Sequence, residues 1–306
     1  MARKILLNMA MSHIAAALAS LNDSHTFFVP PRHAYHLDYG FRYQMVGEHC
    51  FVTLVRPKSD ADLKGVKPGD EVVAINGHSI VRADYGNAQY ILSILRPRPE
   101  LQLVLQDPTG AQRQVDVASR IRDTKRLINL TFDGDSDVWD LIREGQTEKQ
   151  LRRARYYEVG DQLLVLKVPE FFFSGWGLEG MIGRARKFPA LVVDLRGNPG
   201  GRVELLKDLI GAMFDRNVKI ADRVGRKETK PEVAEATHHS FNGMIVVLVD
   251  SNSASTTELF ARVMQLEKRG MVIGDLTSGS GTESKRFQEK QGTDTVVVYG
   301  ISITEG

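Results

Sequence analysis

The chain has a single cysteine, Cys50, in 306 residues. One thiol cannot form an internal disulfide, and no Cys/His cluster offers a zinc site. Cys50 lies in a strand-like segment and reads as a buried strand residue. No apolar run is long enough to span a membrane. The formal net charge is only +2, which makes no electrostatic case for nucleic acid or a lipid surface as partner. No glycine loop ends in Gly-Lys-Ser/Thr, so the sequence makes no case for a phosphate-binding P-loop. Internal repeats and low-complexity tracts are also absent. No cofactor and no metal is expected. The length and the 42% hydrophobic content suit two globular domains.

The most informative stretch runs from Met244 to Met264. Met244–Asp250 is a continuous apolar run of strand length. Asn252-Ser253-Ala254-Ser255-Thr256-Thr257-Glu258 then turns the corner with small hydroxyl residues. Leu259–Met264 has helical spacing. A serine at such a corner presents its Oγ at the rim of a sheet, beside the free N–H groups of a helix N-terminus. That is the placement a nucleophilic serine needs. The plainer reading is that these hydroxyls only cap the helix.

A second segment repeats the arrangement. Ala190–Leu195 reads as a buried strand, Arg196-Gly197-Asn198-Pro199-Gly200-Gly201 as a tight loop, and Val203–Phe214 as a helix. Paired glycines after a strand leave backbone N–H groups bare, and such groups can stabilise a developing oxyanion. The plainer reading is an ordinary strand-to-helix turn. A third segment, Leu21-Asn22-Asp23-Ser24-His25-Thr26, sets His25 among small polar residues, where an imidazole can reach a partner.

Taken in order, these segments and Val272-Ile273-Gly274-Asp275-Leu276-Thr277-Ser278-Gly279-Ser280-Gly281 resemble the C-terminal processing (tail-specific) serine peptidases. The resemblance covers nearly the whole chain. It implies an α/β fold: a layered β/α protease core (a crotonase-like, ClpP-type βαβ spiral) with an inserted PDZ-like β-domain and an N-terminal helical lead-in. Gly65-Val66-Lys67-Pro68-Gly69-Asp70-Glu71-Val72-Val73-Ala74-Ile75-Asn76-Gly77-His78 looks like a PDZ signature. In it Pro68-Gly69-Asp70 is a turn, Glu71–Ile75 an alternating strand and Asn76-Gly77 a tight hairpin turn. Tyr39, Gly40, Phe41 and Arg42 resemble the carboxylate-binding loop and edge strand through which a PDZ domain captures an extended C-terminal peptide.

The resemblance carries over residue by residue. Ser255 stands at the nucleophile position. Where many relatives place a lysine base this chain has Ser280, and the assisting acid position holds Leu266. Lys285 is five residues on, an odd offset that would point it to the opposite face of a strand. The chain is therefore closer to the tricorn-like Ser/His branch. There His25 would be the general base, Ser24 would orient it, and N–H groups of Gly200 or Gly201 and of Thr256 would form the oxyanion hole. That branch's orienting glutamate lies beyond the present end, and Glu305 is a poor substitute.

The expected organisation is an N-terminal helical segment at 1–37, a PDZ-like domain at 38–118, a charged linker at 119–155, and a peptidase core at 156–306 whose C-terminal end is incomplete. Two readings of function stand. One is a serine endopeptidase acting on polypeptides docked by the PDZ-like domain, through the substrate's C-terminus. The other is a catalytically inactive relative serving as a peptide-binding scaffold. Oligomerisation stays open. Resemblance implies a bacterial periplasmic or extracellular location, but Ile5–Leu18 reads as a structural helix rather than a signal peptide, so the cytoplasm stays open too.

Overall fold

Strand pairing rather than sequence order decides which parts of this chain belong together. The computed structural model describes residues 11, 13–21, 23, 25–31, 35–123, 153–172, 175–237, 239–291 and 297–305. The first ten residues, Ser24 and most of the expected linker lie outside the described residues. The chain divides into two compact units. One comprises Met1–Ile128 with Ser284–Thr304, the other Asn129–Glu283 with Glu305–Gly306.

In the first unit a helical segment, α1 (13–19), precedes β1 (Phe27–Val29). A short pair follows, β2 (Tyr35–Asp38) with β9 (Arg120–Asp123). Between them lies an antiparallel sheet: β3 (Phe41–Val46), β4 (His49–Val55), β5 (Glu71–Ile75), β6 (His78–Ser79), β7 (Glu100–Gln106) and β8 (Gln112–Ala118). Its order is β3-β4-β5-β7-β8, with β6 paired to β5, so β3 lies at an edge. The period-two pattern of β7 sends Leu101, Leu103 and Leu105 into a core shared with Met45, Val52, Val72 and Ile75. The expected strand Glu71–Ile75 forms as read. Asn76 and Gly77 both take positive φ (49° and 79°), as a two-residue hairpin turn of this hand requires. Cys50 is buried in β4, and burial, with Glu71 adding to it, pushes its thiol pKa up to about 12. Two short helices, α2 (Asp60–Leu63) and α3 (Tyr85–Tyr90), flank the sheet strands in sequence. The last strands, β17 (Ser284–Gln291) and β18 (Val297–Thr304), pair with each other, and β18 also pairs with β1, Phe28 facing Ile301. That pairing groups them with the N-terminal residues, although their place in the sequence groups them with 156–306.

The second unit is built on a five-stranded sheet of order β10-β11-β12-β15-β16. Its strands are β10 (Arg155–Val159), β11 (Leu163–Lys167), β12 (Ala190–Asp194), β15 (Met244–Val249) and β16 (Met271–Gly274). β10 runs antiparallel and the rest are parallel. A hairpin, β13 (Val218–Val224) with β14 (Thr229–Ala234), stands apart from this sheet. The helices are α4 (Gly175–Ala185), α5 (Val203–Gly211) and α6 (Thr256–Leu266). Leu164, Leu166, Leu191, Val193, Ile245 and Val247 alternate to one face of the sheet and are buried. They share a core with Leu206, Leu209 and Ile210 of α5 and with Phe260, Val263 and Met264 of α6. Each such side chain contributes about 1.5–3 kcal/mol relative to exposure. The strands expected at Ala190–Leu195 and Met244–Asp250, and the helices expected after each, all form, with ends shifted by at most a few residues.

Two features of this sheet position the site. β12 and β15 are parallel neighbours, in register from Ala190↔Met244 to Asp194↔Leu248. Their carboxyl ends therefore release the loops 195–202 and 250–255 side by side. Each loop then starts a helix that packs back on the same core.

Candidate active site

Ser255 is one of only four non-glycine residues with positive φ among the described residues (φ 57°, ψ −124°). A β-carbon in that region costs about 1–3 kcal/mol, and such strain persists only where the surroundings enforce it. Here they are visible. Gly200 packs against the serine so closely that a Cβ on it would lie 2.7 Å from Ser255 Cβ and 2.9 Å from the Ala254 carbonyl oxygen. Only glycine, at φ 98°, fits there. Gly201, at φ 147°, packs equally tightly on Phe171, whose carbonyl oxygen would lie 2.5 Å from an added Cβ. Phe171 N–H bonds Gly200 O (2.9 Å), and Arg202 N–H bonds Phe171 O (3.0 Å).

Three bonds join the two strand-end loops. Gly197 N–H donates to Asp250 Oδ1 (2.8 Å). Ala254 N–H donates to Asn198 O (3.0 Å), and Ser253 Oγ donates to Leu195 O (3.0 Å). Ser253 also accepts the Asp250 N–H at 3.0 Å and is fully buried, so its hydroxyl is structural. Ser255, by contrast, is only half-buried and heads the helix. Asn198, also fully buried, donates from Nδ2 to Val168 O (2.8 Å) and accepts the Gly200 N–H on Oδ1 (2.8 Å). That last bond bears on the expected oxyanion hole. With the Gly200 N–H already donated to Asn198, the glycine donor has to come from Gly201. Thr256, as first residue of α6, has an N–H without an intrahelical acceptor.

At the base of the glycine loop Asp194 is buried against two cations. Arg196 grips it with Nε and Nη2 (3.0 and 2.9 Å), and Lys167 Nζ lies 3.1 Å away. Burial pushes the Asp194 carboxyl up, but the Arg196 and Lys167 bonds outweigh it and hold the pKa below 3.8.

Glu258, three residues past the serine, gathers the remaining elements. Its Oε2 accepts the N–H of Ser255 (2.7 Å) and of Ser280 (2.8 Å). Its Oε1 accepts Thr277 Oγ1 (2.7 Å) and the Gly279 N–H (2.7 Å). Ser280 is thereby brought beside the backbone of Ser255, and its Oγ lies 2.7 Å from that of Ser278. In the sequence Glu258 reads only as the end of the serine run. Its position three residues after an N-cap serine, the spacing of a capping box, was the available signal. Asn198 and Asp250 gave no comparable sign.

His25 belongs to the other unit. Its backbone N–H donates to Asp23 Oδ1 (3.0 Å), and Thr26 Oγ1 donates to Asp23 Oδ2 (2.7 Å). The Thr304 hydroxyl against this carboxylate is the largest influence holding the Asp23 pKa below its ordinary value. Burial pushes the other way, and the His25 and Thr26 bonds add to the lowering. Lys285, on β17 of the same unit, sits with Nζ 5.5 Å from the Phe287 ring centre. Around the expected peptide groove, Gly40 takes φ 77°, donates its N–H to Asp38 Oδ1 (3.0 Å) and accepts the Arg56 N–H (2.7 Å). Tyr39 Oη donates to Arg98 O, while Phe41 pairs with Val55 and Arg42 with Leu54. Among the described residues no group of His, Cys, Asp and Glu could hold a metal ion. No described helix is long and apolar enough to cross a membrane.

The second unit is thus an α/β protein whose candidate site lies at the carboxyl ends of adjacent parallel strands, where such sheets bind their ligands. Residues 162–302 match the family model described as Peptidase family S41. Over that segment, just under half of the chain, the protein is similar to peptidase family S41. Among curated proteins it is 24% identical over 282 residues to the carboxy-terminal processing protease CtpB of Bacillus subtilis (strain 168), covering 88% of this chain and 54% of that one. It is 29% identical over 157 residues to the tail-specific protease of Haemophilus influenzae, covering 49% of this chain and 22% of that one. The chain spans about half the length, or less, of these relatives. The crystal structure of mature CPAF superposes with a TM-score of 0.64 at 15% identity, covering 95% of this chain and 77% of that one, which is a likeness of fold.

Proposed function

We propose that the protein is a serine endopeptidase in which Ser255 attacks the scissile carbonyl of a polypeptide. In this reading His25 takes the Ser255 proton and returns it to the leaving amine, with Ser24 orienting the imidazole. The N–H groups of Gly201 and Thr256 stabilise the oxyanion. The antiparallel sheet β3–β8 acts as the PDZ-like domain, with Tyr39, Gly40, Phe41 and Arg42 receiving the substrate's C-terminus along the edge strand β3. The protease core takes the crotonase-like spiral, and the protein works in the periplasm or outside the cell.

One observation carries the reading: Ser255 is held at φ 57° with Gly200 pressed against it. A serine that served only as a helix cap would take ordinary extended backbone angles. Strain at a half-buried serine, braced by a glycine loop, is what a nucleophile elbow requires. The test is labelling by a serine-directed fluorophosphonate of wild type, Ser255→Ala and His25→Ala. Labelling of wild type that is lost in both variants is the expected result. Folded wild type that does not label would overturn the proposal.

A further inference from the structure

We infer that Glu258 is a positioning residue that makes the reactivity of Ser255 depend on the loop 277–280. The inference rests on the reading of Ser255 as nucleophile. Its basis is the sharing of one carboxylate. Oε2 of Glu258 receives the N–H of Ser255 and the N–H of Ser280 together, at 2.7 and 2.8 Å. Oε1 receives Thr277 Oγ1 and Gly279 N–H, both at 2.7 Å. The ionised carboxylate is acceptor-only, so all four donors are matched. An ordinary capping box needs only the first of these bonds.

The other three come from a loop with no regular structure of its own. That loop is fixed at one further point, where Ser278 N–H bonds Ser253 O (2.9 Å). Ser255 therefore has two supports for its strained backbone. Gly200 packs on its Cβ side, and the Glu258 carboxylate holds its N–H. If the loop is pulled away, Oε1 loses both partners and Oε2 loses one. The carboxylate then has no reason to stay aimed at the serine N–H. Loop order and serine geometry become one event, so anything that displaces residues 277–280 switches the nucleophile down without touching it.

Glu258→Gln tests this. An amide offers one acceptor and one donor group, so in either orientation two of the four donors meet an NH2. Thr277→Ala removes one bond only, and Thr277→Ser keeps the donor. Measured together would be the fluorophosphonate labelling rate, the melting temperature, and amide exchange of residues 255–257 and 277–280. Expected is a labelling rate at least tenfold lower in folded Glu258→Gln, with faster exchange in both segments. A smaller loss, about threefold, is expected in Thr277→Ala, and recovery in Thr277→Ser. A folded Glu258→Gln that labels within twofold of wild type would overturn the inference, even if its Tm falls, because a purely capping role moves stability and leaves the rate of the folded protein alone. Should Glu258→Gln not fold, unchanged labelling in Thr277→Ala does the same. Failure of wild type to label marks a different fault, in the assignment of Ser255 itself, and takes this inference down with it.

Discussion

Gly200 occupies space that a methyl group would contest with Ser255: its missing Cβ would lie 2.7 Å from the Ser255 Cβ and 3.2 Å from the Oγ. Gly200→Ala is therefore expected to act on the serine directly. The Ala254 carbonyl oxygen, 2.9 Å away, is backbone and cannot rotate aside, and φ 98° already strains an L-residue. A stability loss of about 1–3 kcal/mol is expected, with labelling at Ser255 falling out of proportion to it. Chemical denaturation and labelling of the folded fraction would separate the two effects. Wild-type labelling in Gly200→Ala would mean the contact does not brace the nucleophile.

The two serines of the run should respond in opposite ways. Ser253 is fully buried and bonded to Leu195 O and to the Asp250 N–H. Ser253→Ala leaves the Asp250 N–H without its acceptor, while Leu195 O keeps the Asn198 N–H (3.1 Å), so a cost of about 1–3 kcal/mol is expected with the hydroxyl at 255 kept. Ser255→Gly removes the proposed nucleophile and relieves the positive φ, so a gain of about 0.5–1 kcal/mol is expected along with complete loss of labelling. Such a trade of stability against function is common where a site stores strain. A destabilised Ser255→Gly protein would show that the corner is not strained.

These residues also mark what could be read in advance. The strand–corner–helix order around Ser255 and around Gly200 followed from apolar runs interrupted by small residues, because a buried parallel strand must be apolar along its length. Asn76-Gly77 announced its hairpin turn. Bonds set by tertiary contact were not legible. That the Gly200 N–H goes to Asn198 depends on where the Asn198 side chain lies when buried, and nothing local dictates it. Likewise Glu258 reads as a helix cap until the loop 277–280, some twenty residues away, folds onto it. The placement of β18 beside β1 is a pairing across almost the whole chain, invisible to any local pattern.

Asp194 gives a pH-dependent expectation. Its pKa is lowered in the folded protein, so it contributes stability that is present above the ordinary value of 3.8 and is lost as pH falls through the folded pKa. Asp194→Asn takes away the carboxylate that faces Lys167 and Arg196; Asp250 still acts on Arg196, but the Lys167 side chain, only 18% exposed, loses its ion-pair partner. A loss of about 2 kcal/mol at neutral pH is expected, discounted for the partly exposed Arg196. Below pH 3.8 the wild-type carboxyl begins to protonate, and the gap between wild type and variant should close. Urea unfolding at neutral pH and again below that value checks this. A gap independent of pH would assign the loss to packing rather than charge.

In the other unit the Asp23 carboxylate fixes the turn that carries His25, by accepting the His25 N–H at 3.0 Å and the Thr26 hydroxyl at 2.7 Å. Thr26 Oγ1 in turn accepts the Thr304 N–H (3.2 Å), tying the turn to β18. If His25 is the base, freeing its turn should weaken proton transfer without removing it. Asp23→Ala is expected to lower the Ser255 labelling rate by about tenfold, the equivalent of about 1.4 kcal/mol. His25→Ala should abolish it. The decisive comparison is the double variant. A residue that works only through His25 has nothing left to position once the imidazole is gone, so Asp23→Ala should add nothing to His25→Ala in any residual rate. Additive losses would mean that Asp23 supports the site by another route, and an Asp23→Ala protein as reactive as wild type would mean that the turn holds its shape without the carboxylate.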